Sequence, residues 1–364
     1  MAEGKIRVGL IGANVNAGWG GSVHVRAIQA LGDYELTAVG TAHRETAEEA
    51  AKAFGAKFAF HDNRELVNCP EVDLVTIAVR VPAHHEIALA ALNAGKHVFC
   101  EWPLAANLRE AEEIAALARA KGVRHIVGLQ RRADPTFLEV KRLIGSGYVG
   151  DVQSCRLTVI NGGARERELR RSWQVDPALG ANTLTIPAGH ALDAFRFSVG
   201  EFKELSAYVS TQVPEWKIRE TGATVITKSP DNVIVGGVLR NGAAVSVQVA
   251  AVPYHGSGWT LEIYGSEGTL VTSGSDGQPG RPPLQGARAG DAALQPLTYG
   301  DPEPVPAAIQ QGPAANVGRL YQRLSGAIRE GRPADPDFDA GVGLHRLLDA
   351  IERSAREGKR VAVA

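Results

Sequence analysis

The residues best equipped for chemistry begin at Gly12, directly after the apolar run Ile6–Ile11. There Gly12-Ala13-Asn14-Val15-Asn16-Ala17-Gly18-Trp19-Gly20-Gly21 leads into a helical stretch. A strand, a glycine turn and a helix in that order aim backbone N–H groups and the positive end of a helix dipole at a pyrophosphate. Gly12, Asn14, Gly18 and Trp19 are therefore candidates for contact with a dinucleotide. The turn is longer than a strict G-x-G-x-x-G, which would place glycine at position 14. The second strand ends Val39-Gly40-Thr41-Ala42-His43-Arg44, without the acid that takes the ribose hydroxyls of NAD. Thr41, His43 and Arg44 instead suit a 2′-phosphate, to which a guanidinium makes charge-assisted bonds. The expected cofactor is NADP(H), ahead of NAD(H). The competing reading of Arg44 is a solvated residue at a helix start.

Other clusters carry weaker chemical signals. Gln130, Arg131 and Arg132 follow the strand VRHIVGL at the sheet edge where ligands gather. One of these arginines is expected to meet substrate or cofactor and the other to form a structural ion pair. Gly162–Trp173, GGARERELRRSW, reads either as a lid that captures an anionic group or as a solvated charged surface. Trp173, Asn182, Thr183 and Thr185 are candidates to line a substrate site. Tyr254 and His255 are either pocket residues or a loop tip. His84-His85-Glu86 is not a metal site, because adjacent helical residues point about 100° apart.

The elements that must hold these groups alternate strand and helix over the first third. Ile6–Ile11, a helix near Ser22–Leu31, Glu35–Gly40, the helix Glu45–Phe54 and the doubly apolar run VDLVTIAV come first. HHEIALAALNAG, KHVFC, NLREAEEIAALARAKG and VRHIVGL continue the pattern. Strands apolar on both faces between amphipathic helices make a doubly wound parallel sheet, a Rossmann domain over residues 1–130. From residue 131 the pattern changes to a helix at Pro135–Ile144 and alternating strands VQSCRLTVI, ELSAYVSTQV, NVIVGGVLR, AAVSVQVAAV and WTLEIYG. These predict a C-terminal α+β domain with an open, mainly antiparallel sheet over 131–312, for substrate and oligomer contacts. Ser273–Asp301 reads as a long irregular loop, and 313–364 as two amphipathic helices returning to the first domain.

Composition narrows the function classes. The 364 residues are too many for one ordinary domain, and 39 basic residues nearly cancel 40 acidic ones. With a formal charge of -1 and no basic stripe, nucleic-acid binding is not expected. No apolar run reaches the roughly 18 residues of a membrane span, so no membrane is expected and the location is read as cytoplasmic. Cys69, Cys100 and Cys155 are scattered and argue against a disulfide framework.

The order of motifs resembles the glucose–fructose oxidoreductase, inositol dehydrogenase and rhizopine-catabolism (GFO/IDH/MocA) family. AGKHVFCEWPLA is similar to its AGKHV-x-x-EKP signature, and WQVDP followed by GHALDAF to its later segments. The long turn with His24 beyond it, Glu101-Trp102, GLQRR and GYVGDVQS resemble the branch containing the galactose-pathway repressor of yeasts. The resemblance implies nicotinamide-dependent chemistry on sugars, cyclitols or other small hydroxyl and carbonyl compounds, in a homodimer or homotetramer. It gives Val79, His84 and Glu101 to the cofactor. It also exposes two departures. Trp102 replaces the usual catalytic lysine, and Ile186 stands where an aspartate is usual, four residues before His190. His190 alone is left as the acid/base, unless it is a structural histidine. Trp102 either fills the lysine's space or stacks on substrate. Two other outcomes stay open: a silent NADP-binding regulator that holds a protein partner, and an enzyme that oxidises its substrate transiently with tightly held nicotinamide.

Overall fold

The computed structural model describes residues 4–16, 18–275 and 282–363. The chain divides into two compact units, 1–133 with 303–343 and 134–302 with 344–364. The tail expected as one segment, 313–364, is thereby shared: its first helix belongs to the first unit and its last residues to the second. No helix among the described residues is long and apolar enough to cross a membrane.

In the first unit, β1 (Ile6–Ile11), β2 (Tyr34–Gly40), β3 (Phe58–Phe60), β4 (Leu74–Ile77), β5 (His97–Cys100) and β6 (His125–Val127) form one sheet. Its strands are parallel and lie in the order β3-β2-β1-β4-β5-β6. That order reverses direction between β1 and β4, which places the ligand crevice at their C-terminal ends. All four residues of β4 are buried, as a strand covered on both faces requires. The helices are α1 (Val25–Ala30), α2 (Arg44–Phe54), α3 (Asn63–Asn68), α4 (His84–Asn93) and α5 (Leu108–Lys121). Asn107 caps α5 by accepting from the Glu110 N–H at 3.1 Å, and Gly122, at φ +65°, closes it. β3 and α3 escape the sequence reading, being too short to show a period. The helix expected from Ser22 instead starts at Gly20 as a π-turn running to His24.

α8 (Pro313–Glu330) completes the core of this unit. Tyr321 is fully buried, with its ring 4.8 Å from Phe99 and 5.1 Å from Tyr34. The Tyr34 hydroxyl donates to the Tyr321 carbonyl at 2.7 Å.

The second unit opens with α6 (Pro135–Gly145), β7 (Val152–Asn161) and β8 (Glu166–Arg167), followed by α7 (Gly189–Ser198). Its remaining strands are β9 (Phe202–Ser210), β10 (Glu215–Ile218), β11 (Thr224–Ile226), β12 (Asn232–Leu239), β13 (Ala244–Ala251) and β14 (Gly258–Gly265). After them come β15 (Gly268–Gly274), β16 (Leu284–Arg288), β17 (Gln295–Pro296) and β18 (Val361–Ala362), with α9 (Phe338–Glu357) before the last. Nine strands form one mixed sheet, β17-β16-β15-β14-β7-β13-β12-β9-β18. Its β7–β13 pair is parallel and the rest antiparallel. Strict alternation along β13 and β14 buries one face. The expected loop 273–301 is corrected in part: β16 and β17 lie within it and extend the sheet, while 276–281 fall outside the described residues. Glycines and prolines hid these short strands. A small second sheet, β11-β10-β8, sets Arg167 opposite Ile218.

Candidate functional site

The end of β1 and the helix that follows approach so closely that only backbone fits between them. A Cβ on Gly20 would lie 2.3 Å from the Gly12 carbonyl oxygen, and one on Gly12, itself at φ +101°, would lie 2.3 Å from the Ala78 carbonyl oxygen. A Cβ on Gly21 would likewise lie 2.2 Å from the Asn14 carbonyl oxygen. These are the close helix–strand contacts of a dinucleotide turn. Gly20 and Gly21 lie within the same glycine run, but only the tertiary contacts single them out. Asn14 shapes the loop by accepting from the Asn16 N–H at 2.9 Å, while Gly18 and Trp19 lie on its exposed part. Val79, half-buried at the end of β4, would touch a Cβ on Gly12 at 3.2 Å.

At the neighbouring end of β2, the hydroxyls of Thr41 and Thr46 lie 2.6 Å apart and each lies 3.0 Å from the His43 carbonyl, so one donates to that carbonyl and the other to its neighbouring hydroxyl. Their bonds fix the start of α2. His43 and Arg44 are exposed there, and Arg44 makes neither an ion pair nor a side-chain hydrogen bond among the described residues. Thr41, His43 and Arg44 thus form one polar corner beside the glycine turn, joined by the bond from the Gly12 N–H to the Gly40 carbonyl at 2.8 Å.

Glu101, directly after β5, is held by a buried chain of polar groups. Its Oε1 lies 2.9 Å from His24 Nε2, and His24 Nδ1 lies 2.9 Å from the Tyr321 hydroxyl. That hydroxyl in turn lies 2.9 Å from Thr76 Oγ1. Burial pushes the Tyr321 phenol far above its ordinary range, so it remains a neutral hydrogen-bonding group. The carboxylate also crowds Gly128, where a Cβ would lie 2.7 Å from Oε2. His24 served the sequence reading only as a mark of resemblance, and Tyr321 and Thr76 gave no signal there. Their convergence depends on packing α8 against the sheet.

His84, assigned to the cofactor from sequence, is buried with both ring nitrogens engaged inside the fold. Nδ1 lies 2.8 Å from the Pro103 carbonyl and Nε2 3.1 Å from the Val79 carbonyl. Burial holds its pKa below the ordinary imidazole value. Its ring therefore bridges the segment after β5 and the end of β4. Trp102 is only 5% exposed, so it fills the lysine's place as a packed side chain, not as an open stacking platform. Arg132 is the structural arginine of the pair, 3.2 Å from Asp335. Arg131 and Gln130 remain half-buried beside it.

In the second unit, Asn182 caps the turn leading to α7, accepting from the N–H groups of Leu184 and Thr185 at 2.9 and 3.2 Å. His190, the second residue of α7, is half-buried. Asn182, Thr183 and Ile186 line a cavity of about 380 Å³. The remaining wall comes from the arginine-dense segment and the small sheet, including Glu166, Arg167, Arg171, Trp216 and Arg219. Trp173 and His190 do not line this cavity. Tyr254 is 71% exposed, in the turn between β13 and β14. Trp216 and Arg219 were missed because nothing in sequence links them to residues fifty positions earlier.

Residues 6–129 match the profile of an oxidoreductase family with an NAD-binding Rossmann fold, and 135–274 match the C-terminal domain of Gal80p. The chain is 34% identical to dehydrogenase aclE of Aspergillus oryzae, over 90% of this chain and 88% of the relative. It is 27% identical to the galactose/lactose metabolism regulatory protein GAL80 of Saccharomyces cerevisiae, over 99% of this chain and 94% of that protein. Levoglucosan dehydrogenase in complex with NADH and levoglucosan superposes with a TM-score of 0.86 at 28% identity, covering 99% of this chain and 100% of that one. A dinucleotide turn in the first unit, a mixed open sheet in the second and these likenesses along nearly the whole chain place this protein in the GFO/IDH/MocA oxidoreductase family, in its Gal80-like branch.

Proposed function

We propose that this chain is an NADP-dependent dehydrogenase acting on a sugar-like or other small hydroxyl or carbonyl compound. The observation that carries the reading is the glycine turn, where a Cβ at any of three glycines would lie within 2.2–2.3 Å of a carbonyl oxygen, leaving no room for side chains. Bound nicotinamide supplies the hydride donor or acceptor. The protein binds and orients it, and moves the accompanying proton. Gly12, Asn14, Gly18 and Trp19 take the pyrophosphate side, and Val79 packs beside Gly12. Glu101, fixed by His24, takes the nicotinamide end. Arg44 with Thr41 and His43 takes the 2′-phosphate, since its guanidinium is exposed and uncommitted while no carboxylate closes β2. His190 exchanges the proton at the substrate hydroxyl oxygen, because neither Trp102 nor Ile186 can transfer one.

The test is turnover followed by nicotinamide absorbance, with NADP⁺ and a panel of sugars, glycosides and cyclitols, and with NADPH and carbonyl compounds. His190→Ala should lower kcat about 10²–10⁴-fold while NADPH affinity stays unchanged. Full activity in that variant would remove His190 from the chemistry. One observation favours a second reading, a silent regulator that binds a protein partner: Trp102 and Ile186 stand at both positions where family members carry proton-transferring side chains. Tight NADPH binding with silence across both panels would favour it.

A further inference from the structure

Three arginines and three carboxylates line the cavity of the second unit, and two of the arginines, Arg167 and Arg171, make no ion-pair contact among the described residues. Each acid on its wall is already committed. Glu166 pairs with Arg219 at 3.3 Å and Glu168 with Arg170 at 2.5 Å. Asp231 accepts from the N–H groups of Gln212 and Val213 at 2.8 and 2.6 Å, and from Asn232 Nδ2 at 3.1 Å. Arg167 donates only to the carbonyls of Gly163 and Glu166, at 3.0 and 2.9 Å, and its guanidinium lies 4.5 Å over the Trp216 ring. Arg171 makes no side-chain hydrogen bond or ion pair among the described residues. Burial, with the nearby charges of Arg171 and Arg219, lowers the Arg167 pKa more than the charge of Asp231 raises it. A half-buried guanidinium facing like charge costs free energy that an anion in the cavity would offset.

This is more than a solvated charge run. Pairing of β8 with β10 fixes Arg167 against Trp216, so the positive charge is preorganised before any ligand arrives. The side chains of Asn161, Gln174 and Asn182 add hydrogen-bonding groups to a wall of small-molecule size, about 380 Å³. We infer that this cavity binds the anionic group, a carboxylate or a phosphate, of a small polyhydroxylated molecule. The inference deepens the proposed dehydrogenase and rests on it for the identification of that molecule as substrate. An acidic or phosphorylated sugar is then the substrate class, and Arg171 and Arg167 select it.

The test is calorimetric titration of the full chain, with NADPH present, using glucose, glucuronate and glucose 6-phosphate at matched ionic strength. At least one anion should bind about 10-fold or more tightly than glucose, and more weakly as salt rises. Whether glucuronate or glucose 6-phosphate binds better tells a carboxylate from a phosphate. Arg171→Gln should weaken that anion about 10-fold or more, with Arg171→Lys retaining part of the affinity. Arg171 is exposed, so these variants should fold, and unchanged NADPH affinity would verify it. The inference is overturned if glucose binds as well as both anions, if none of the three binds at millimolar concentration, or if Arg171→Gln leaves anion binding unchanged. Anion binding without any turnover would sink the dehydrogenase reading alone. Turnover of neutral compounds without anion binding would sink this inference alone.

Discussion

The glycine turn of the first unit and the arginine-lined cavity of the second are built on opposite principles. At the turn, backbone passes so close to carbonyl oxygens that a Cβ on Gly12, Gly20 or Gly21 would lie only 2.2–2.3 Å from one. At the cavity, Arg167, Trp216 and Arg219 come together only because β8 pairs with β10 across a chain separation of about fifty residues. A site made of local backbone tolerates almost no substitution at its glycines. A site made of long side chains should lose function in steps, one cation at a time.

The largest expected effect tests the first half of that contrast. Gly20→Ala must displace the helix start from the Gly12 carbonyl, and NADPH binding should fall below detection by fluorescence titration. Gly18→Ala, at φ +91° with nothing within 4 Å of a Cβ, should cost only about 1–2 kcal/mol and retain binding. Equal damage from both would refute the steric account.

Acid stability ranks next and involves both units. Burial pushes the His345 imidazole down to about 4, and lowers those of His84, His97 and His125. Each binds its proton less tightly when folded than the ordinary imidazole of the unfolded chain, so the unfolded chain binds more protons below about pH 6.5. Stability fully present above about pH 6.5 is therefore lost as pH falls toward 4, by about 3 kcal/mol for His345 alone. Denaturant midpoints measured between those pH values should show the loss, and His345→Gln should flatten the curve if the protein folds. A midpoint independent of pH over this range would contradict the burial argument.

Arg44→Ala probes the polar corner next to the turn. Its KM for NADP⁺ should rise about 10-fold or more while that for NAD⁺ changes little, the loss expected for a charge-assisted bond. Parallel changes for both cofactors would mean that Arg44 does not read the 2′-phosphate.

Legibility in the sequence followed the same division. β1, β2, β4, β5 and β6 could be read because each is an apolar run bounded by turn residues. The three residues of β3, and β16 and β17 inside a glycine- and proline-rich stretch, carry no period to read. The glycine turn was legible because Gly12 and Gly20, which approach each other in it, are close in the chain. The His24–Tyr321 bond spans 297 residues, and no local pattern marks either end.

Apolar alternation, the glycine run and the missing acid after β2 were sufficient to determine a two-domain oxidoreductase architecture with a dinucleotide turn, because each depends on neighbours a few residues apart. Tertiary structure decided that His84 bridges two segments, that Trp102 is packed, that Glu101 hangs from His24 and Tyr321, and that Arg167 and Arg171 face a cavity. Each of those outcomes turns on which distant groups meet and which remain without a partner, and chain order does not encode that pairing locally.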